Sequence, residues 1–516
     1  MIKKTAKNLL VGYTILGIIF GCVFPIIAIS IELYYNKLDV SYINIKSLHQ
    51  NNILLYMIDT APVFLGLFSF AAGVIRSRLE LKNIELNKMV NYDDLTGLYN
   101  RRFGNDRIKE LILKHMKTGE FFVVAFLDLD KFKYINDTSG HIFGDEVLKV
   151  VARRLVMTVE NIKNVIRLGG DEFMIMIEGD LDLLDQKLNH IADCIAMPIK
   201  IREKSFLVEA SIGVVYYPEH GQNLTDLLKK ADIAMYHCKN VNSRRYCIFS
   251  SDMSKEMEAK VDMSNALESV LEKDELYLLY QPIIDAQTER LIAAEALIRW
   301  KSENFNRIVS PMEFIPLAEQ NGKIIEIGYW IIETACKLVK KYEHEPKFPI
   351  ISINISAVQI KEWDFIDNVA SIIKKYKVNT NSLKFEITES NSMEEIENSK
   401  LILKKLKDMG IKISMDDFGT GHSSLAELKK MMIDYIKIDK SFIDDLHVDA
   451  SNELIVDAMI SMAKSLKIQI IAEGVETKEQ FEYLKANGCD YIQGYLFSKP
   501  IGEKELVEKF VKGIKM

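Results

Sequence analysis

The sequence predicts three parts in series: two N-terminal transmembrane helices, an α+β domain, and an α/β barrel of the TIM type. Three observations carry this. Residues 9–31 hold no charged side chain, and residues 53–75 hold only Asp59. From residue 121 to about residue 250, apolar strand-like runs mix irregularly with amphipathic helices. From residue 264 the alternation becomes regular, with eight strand-like runs in about 250 residues, the pattern of a closed barrel rather than an open sheet.

The chain has 516 residues, enough for two or three domains. With 48% apolar and 27% charged residues and only 10 prolines, it reads as packed domains. A net charge of −7 argues against a nucleic-acid polymer as partner. The six cysteines lie far apart and form no CxxC pair, which indicates free thiols in a reducing compartment.

Each apolar run is about 23 residues, or about 35 Å as helix, enough for a hydrocarbon core of about 30 Å. Lys3, Lys4 and Lys7 precede the first run, and Arg76, Arg78, Lys82 and Lys88 follow the second. The 32–52 connector balances Lys37 and Lys46 against Glu32 and Asp39. The positive-inside tendency places both termini and the soluble blocks in the cytosol and the short connector outside, with membrane lipid as a partner. Residues 1–75 therefore form a transmembrane hairpin. Asp59 either marks a function within the second span or sits at its outer interface above Pro62. Residues 76–90 lack Gly and Pro and carry Leu79, Leu86 and Met89 at helical spacing, so they read as a signalling helix or linker, consistent with a homodimer.

The first soluble block, 91–250, has strand-like runs at 121–128, 165–168, 172–177 and 206–214 and helical patterns at 144–156 and 225–239. This is an α+β, ferredoxin-like mixture. Residues 251–263 read as a charged bridge without regular structure. In the second block, 264–516, strands are expected at 276–284, 291–300, 350–355, 383–388, 411–415, 435–438, 468–472 and 491–492. Helices are expected at 324–342, 394–409 and 453–466 among others.

Oxygen-bearing residues recur at or near the ends of these strands: Glu295, Asn354, Glu386, Asp416, Asp417, Glu473 and Gln493, with Lys437 among them. Strand C-termini of a β/α barrel converge on the face that carries active sites. So many carboxylates cannot stay ionised in one cleft without cations. A set without His or Cys points to Mg²⁺ or Mn²⁺ rather than Zn²⁺.

Glu295-Ala296-Leu297 with Arg299 resembles the signature of the EAL family of cyclic di-GMP phosphodiesterases. The match continues with NIS at 354–356, FEITES at 385–390, DDFGTGHSSL at 416–425, KID at 437–439, EGVE at 473–476 and QGY at 493–495. The resemblance implies that the seven oxygen-bearing residues hold two metal ions or their water. It implies that Glu295, Asp416, Lys437 and Glu473 are catalytic, with Lys437 helping to hold the attacking water. Gln281 and Arg299 would contact substrate, and Glu476 would brace the DDFGTG loop.

In the first block, Gly169-Gly170-Asp171-Glu172-Phe173 lies between two apolar strands, with Asp128, DKFKYINDTSGHIFGD at 130–145 and DDLTGLYNRR at 93–102. Together these resemble the GGDEF family of diguanylate cyclases. The resemblance implies a palm-like fold, Mg²⁺ on Asp128 and Asp171, and a GTP site using Asn136, Asp145, Glu172 and Lys239. Ser243 stands where family members commonly carry a cation. Glu160 and Lys163 reverse the charges of the family's inhibitory product site.

The expected function is hydrolysis of cyclic di-GMP to linear pGpG, regulated by a GTP-binding GGDEF domain. A bifunctional enzyme or net diguanylate cyclase is the alternative among enzymes. A catalytically silent cyclic di-GMP receptor is the alternative of another class, and the complete carboxylate set weighs against it.

Overall fold

The computed structural model describes residues 2–159, 161–179, 183–240, 245–388, 396–419, 428, 431–446 and 450–511. The chain divides into two compact units, Met1–Met257 and Glu258–Met516. The division falls within a helix, Ser251–Leu267, where the sequence reading expected an unstructured bridge. That segment has no Gly or Pro, and Met263, Ala266 and Leu267 are buried on one side of it, enough to hold it helical.

The first unit begins with a helix, Ile2–Tyr35, followed by short helices Tyr42–Asn51 and Ile53–Asp59 and a long helix, Ala61–Asn91. Two stretches, Leu10–Tyr35 and Ile53–Glu80, are long and apolar enough to cross a membrane, and most of their apolar side chains are exposed, Leu33 and Leu55 being buried. The second expected span is therefore not one helix. It breaks at Thr60, where Pro62 occupies the first turn of the next helix and lacks an N–H for the preceding one. The two long helices approach through small residues: a Cβ on Gly21 would come within 2.4 Å of Pro62 Cα. The 76–90 segment continues the Ala61–Asn91 helix without interruption. Asp59 is not an isolated charge, since its carboxylate meets His49 Nε2 at 2.9 Å.

The rest of this unit is a six-stranded sheet in the order Tyr99–Asn100, Val165–Gly169, Glu172–Glu178, Phe122–Leu129, Ala210–Tyr217, Tyr246–Ile248. Helices His141–Val159 and Leu184–Ala196 cover one face, and Arg101–Thr118 and Leu224–Asn240 the other. The central strand Phe122–Leu129 is consequently buried along its whole length. The expected strand at 206–214 is two pieces: Lys204–Phe206 closes a small hairpin with Ile199–Ile201, and the sheet strand starts only at Ala210.

The second unit is an eight-stranded closed barrel: Leu276–Asp285, Leu291–Ser302, Ile350–Asn354, Leu383–Thr388, Lys412–Phe418, Tyr435–Ile438, Gln469–Ala472 and Tyr491–Gln493. Its core holds Ile353, Phe385, Ile413, Ile436 and Ile470 among many apolar residues. One strand departs from all-parallel TIM topology. Leu276–Asp285 runs antiparallel to both neighbours, because a short turn joins it directly to Leu291–Ser302 instead of a crossover helix.

Candidate active site

Strand register sets the site. Asn354 lies opposite Glu386, Thr388 opposite Asp416, and Lys437 opposite Ile471, one step before the strand end that precedes Glu473. Gln281 comes from the middle of the reversed strand, directly opposite Glu295. A cavity of about 240 Å³ opens there, lined by Gln281, Glu295, Asp416, Lys437, Glu473 and Gln493 among others.

Lys437 is the centre of this arrangement and is 1% exposed. Its Nζ lies 2.5 Å from Glu473, 2.6 Å from Glu386, 3.1 Å from Asp416 and 3.4 Å from Glu295. Asn354 Nδ2 donates to Glu295 Oε1 at 2.7 Å, and Gln493 Nε2 donates to Glu295 Oε2 at 2.6 Å. The other side of Gln493 Nε2 meets Gln281 Oε1 at 3.3 Å. Asp416, Asp417 and Glu473 bring one carboxylate oxygen each within 4.8 Å of one another.

Charge is out of balance here. Five carboxylates, of Glu295, Glu386, Asp416, Asp417 and Glu473, face two ammonium groups, Lys437 and Lys384. Burial pushes Glu473 up to about 8, partly countered by Lys437 and reinforced by Asp416 and Glu295. Burial likewise raises Glu295 and Asp416. Glu386 goes the other way: burial opposes ionisation, but Lys437 and Lys384 outweigh it and hold the group at about 2. Burial would lower Lys437, yet its four carboxylate neighbours hold it well above its ordinary value. An all-oxygen set with excess negative charge fits divalent cations of the Mg²⁺ or Mn²⁺ type.

Not every expected residue lines the cavity. Glu386 belongs to the cluster but is fully buried behind Lys437. Arg299 lies two alternations beyond Glu295 on the same strand face; among the described residues its guanidinium meets no carboxylate, and it donates to Ile298 O. Glu476 pairs with Lys440 at 2.6 Å rather than with the described part of the DDFGTG loop; residues 420–427 lie outside the described residues. Lys440 lines the cavity and was missed from sequence, while Gly494 and Tyr495 line it from the QGY stretch in which only Gln493 was given a role. Gly494 allows a close backbone approach, since a Cβ there would lie 2.0 Å from Val475 O.

In the first unit, Asp128 lies opposite Glu172, one residue before the end of its strand, and Lys239 Nζ reaches Asp128 Oδ1 at 2.6 Å. Burial and the nearby Asp128 carboxylate raise both Asp171 and Glu172. The Gly169–Gly170 turn, with φ of 147° and 52°, is braced by Arg167, which donates to Gly170 O and pairs with Asp93 at 2.9 Å. Asn136 lies on the Phe132–Ser139 helix beside Gly144, where a Cβ would meet its Oδ1 at 2.0 Å; Asp145 is exposed on the next helix. Glu160 and Ser243 lie outside the described residues. Lys163 sits in a short 3₁₀ turn, Ile162–Asn164.

Residues 264–500 match the family model described as EAL domain, and residues 90–245 match the one described as diguanylate cyclase, GGDEF domain. The bifunctional diguanylate cyclase/cyclic di-GMP phosphodiesterase MucR of Pseudomonas aeruginosa is 35% identical over 471 residues, which cover 88% of this chain and 68% of that protein. The signaling protein YkoW of Bacillus subtilis is 38% identical over 433 residues, 83% of this chain and 54% of that protein. This chain thus spans between about half and two thirds of the length of these relatives. A solved structure, Vibrio cholerae LapD S helix-GGDEF-EAL bound to c-di-GMP, superposes with a TM-score of 0.58 over 81% of this chain and 99% of that one, at 22% identity, and so shares the fold. Two family matches in series and a relative matched over most of both chains lead to one conclusion: the chain belongs to the GGDEF–EAL family.

Proposed function

We propose that the barrel hydrolyses cyclic di-GMP to linear pGpG in a metal-dependent reaction. The observation that carries this is the clustering of five carboxylates and two amides around Lys437, beside the cavity that this lysine lines. Glu295, Asn354, Glu386, Asp416, Asp417, Glu473 and Gln493 would hold two Mg²⁺ or Mn²⁺ ions. When bound, the ions supply a hydroxide near neutral pH and offset charge on the phosphoryl oxygens.

The protein's own groups do the rest. Asn354 and Gln493 clamp both oxygens of Glu295 and fix its plane. Lys437 presents an ammonium donor beside Asp416 and Glu473, where an attacking oxygen gains a local positive charge. A cavity of about 240 Å³ is smaller than the roughly 300–1,000 Å³ of sites that enclose a whole drug-sized ligand. It therefore suits one phosphodiester group, with the bases extending from it past Gln281 and Tyr495 of its lining toward Arg299 beyond it.

The first unit is read as a GTP-binding regulator of the barrel, with Mg²⁺ on Asp128 and Asp171 and contributions from Asn136, Asp145, Glu172 and Lys239. Cyclase activity in this unit is the second reading, favoured by the retained Asp128, Asp171 and Glu172 and by the relative named as bifunctional. The two apolar helices would anchor a homodimer in a bacterial cytoplasmic membrane, with termini and catalytic units on the cytosolic side. Incubating the purified chain separately with cyclic di-GMP and with GTP, with and without Mg²⁺ or Mn²⁺, tests these readings. Production of cyclic di-GMP from GTP with no hydrolysis in the reverse assay would replace the first with the second.

A further inference from the structure

Lys384 stands two residues before Glu386 on the Leu383–Thr388 strand, so both side chains point into the barrel, with Lys384 one layer nearer the strand's N-terminal end. It is 1% exposed. Burying an ammonium group is costly unless it is paired. Its partner is Glu386 Oε1 at 3.1 Å, while the other oxygen, Oε2, meets Lys437 at 2.6 Å. The Tyr435 ring lies 4.9 Å from the Lys384 ammonium. Ile283, Ala293, Ile350 and Ile471 pack around the same floor of the barrel. Among the described residues, Glu386 is the carboxylate within ion-pair distance of this lysine, and burial still lowers its proton affinity, only partly opposed by Glu386.

We infer that Lys384 is a positioning residue, which holds Oε1 of Glu386 from beneath and so fixes Oε2 on the side of Lys437, where a cation would be bound. This rests on the reading of Glu386 as a metal ligand. A carboxylate pinned at one oxygen has lost most of its freedom to rotate before a cation arrives, and preorganisation of a ligand by its outer partners typically changes metal affinity by about 10–100-fold. Lys384 also brings a positive charge near the site, which by itself opposes a cation. The two effects have opposite signs, so the direction of the change on removal separates them.

The test is Mn²⁺ affinity of the full chain in lipid nanodiscs, read from the electron paramagnetic resonance signal of the free ion. An Asp171→Ala background weakens competing binding by the first unit. Lys384→Met, similar in length and uncharged, is expected to weaken Mn²⁺ binding at least ten-fold. In a Glu386→Gln background, where there is no carboxylate to position, the same substitution should change affinity less than two-fold. A general packing defect would instead lower affinity equally in both backgrounds, and would overturn the inference. Unchanged or tighter Mn²⁺ binding by Lys384→Met would overturn it as well. Should that variant not fold, Lys384→Gln is compared in the same two backgrounds, with a loss of at least three-fold expected in the first only. A parent chain that binds no Mn²⁺ would overturn the metal reading itself, an outcome distinct from failure of the positioning role alone.

Discussion

Lys437 Nζ lies 2.5 Å from Glu473 Oε1, although one residue lies within a strand and the other just past the end of the next, 36 positions further along the chain. The contact exists because the Tyr435–Ile438 and Gln469–Ala472 strands pair in parallel and release their ends at one pole of the barrel. It makes Lys437 a built-in counter-ion for carboxylates that would otherwise repel one another.

Removing that counter-ion should therefore destabilise the metal-free protein. Lys437→Met leaves Glu386, Asp416, Glu473 and Glu295 without their shared partner, and breaking a buried ion pair costs roughly 3–5 kcal/mol. The barrel's melting temperature should fall in metal-chelating buffer and recover in part when Mg²⁺ is added. A melting temperature indifferent to both changes would contradict the charge argument.

Glu295→Ala should abolish hydrolysis while leaving the fold intact. Glu295 joins Asn354, Gln493 and Lys437, and its side chain occupies the cavity wall rather than the apolar core. Loss of a metal ligand should lower the rate by at least about two orders of magnitude, beyond the 10–100-fold typical of outer partners. Circular dichroism and the rate of pGpG formation measure the two halves of this statement.

His220 should make the first soluble domain sensitive to mild acid. Its Nδ1 accepts the Tyr216 N–H at 3.0 Å, and burial lowers its proton affinity, only partly opposed by Glu219. Because the folded pKa lies below the unfolded value of about 6.5, the unfolded chain takes up the proton first as pH falls. Stability is thus present above about pH 6.5 and declines as pH drops below it. His220→Gln keeps an acceptor and should flatten the melting profile between about pH 7 and pH 5.5; an unchanged slope would show that another group sets it.

Burial raises the thiols of Cys238, Cys336 and Cys489 to about 12, at Cys238 with a further contribution from Cys247. Thiolate is the reactive form. Of the five cysteines in the soluble units, Cys194 is the one not buried. A charged disulfide reagent at pH 8 should label that position alone among these five at a rapid rate in the native protein, as mass spectrometry would show.

GTP should bind the first unit in a Mg²⁺-dependent way and raise the phosphodiesterase rate, with Asp171→Ala abolishing both effects. Coupling of this kind requires GTP to favour one conformational state over another. A flat rate against GTP concentration, with rapid synthesis of cyclic di-GMP, would make the chain bifunctional instead.

Much of the barrel was legible in the sequence because each strand is a short apolar run ending at an oxygen-bearing residue. Leu383–Thr388 and Tyr435–Ile438 occupy the residues that their patterns indicated. The reversed direction of Leu276–Asp285 was not legible, since apolar runs carry no sign of direction; only the tight turn before Leu291 hints at it. The helix Arg101–Thr118 also escaped notice, although Asn100 caps it and Gly119 ends it in a left-handed conformation. Its polar composition blurs the apolar stripe. Lys384 was missed for another reason: a lysine inside a strand is ordinarily a solvent-facing residue, and only its two-residue offset from Glu386 betrays that it points inward. The pairing of Glu476 with Lys440 depended on a loop geometry that no local pattern encodes.

The most direct measurement of the central claim is isotopic. The full chain is incubated with cyclic di-GMP and Mn²⁺ in water enriched in oxygen-18, and the product is analysed by mass spectrometry beside a Glu295→Ala control. Attack by water on one phosphodiester predicts linear pGpG with one heavy oxygen in its terminal phosphate, and no product from the control. Tight binding of cyclic di-GMP without conversion, or equal conversion by the control, would contradict the assignment of this carboxylate ring as a hydrolytic site.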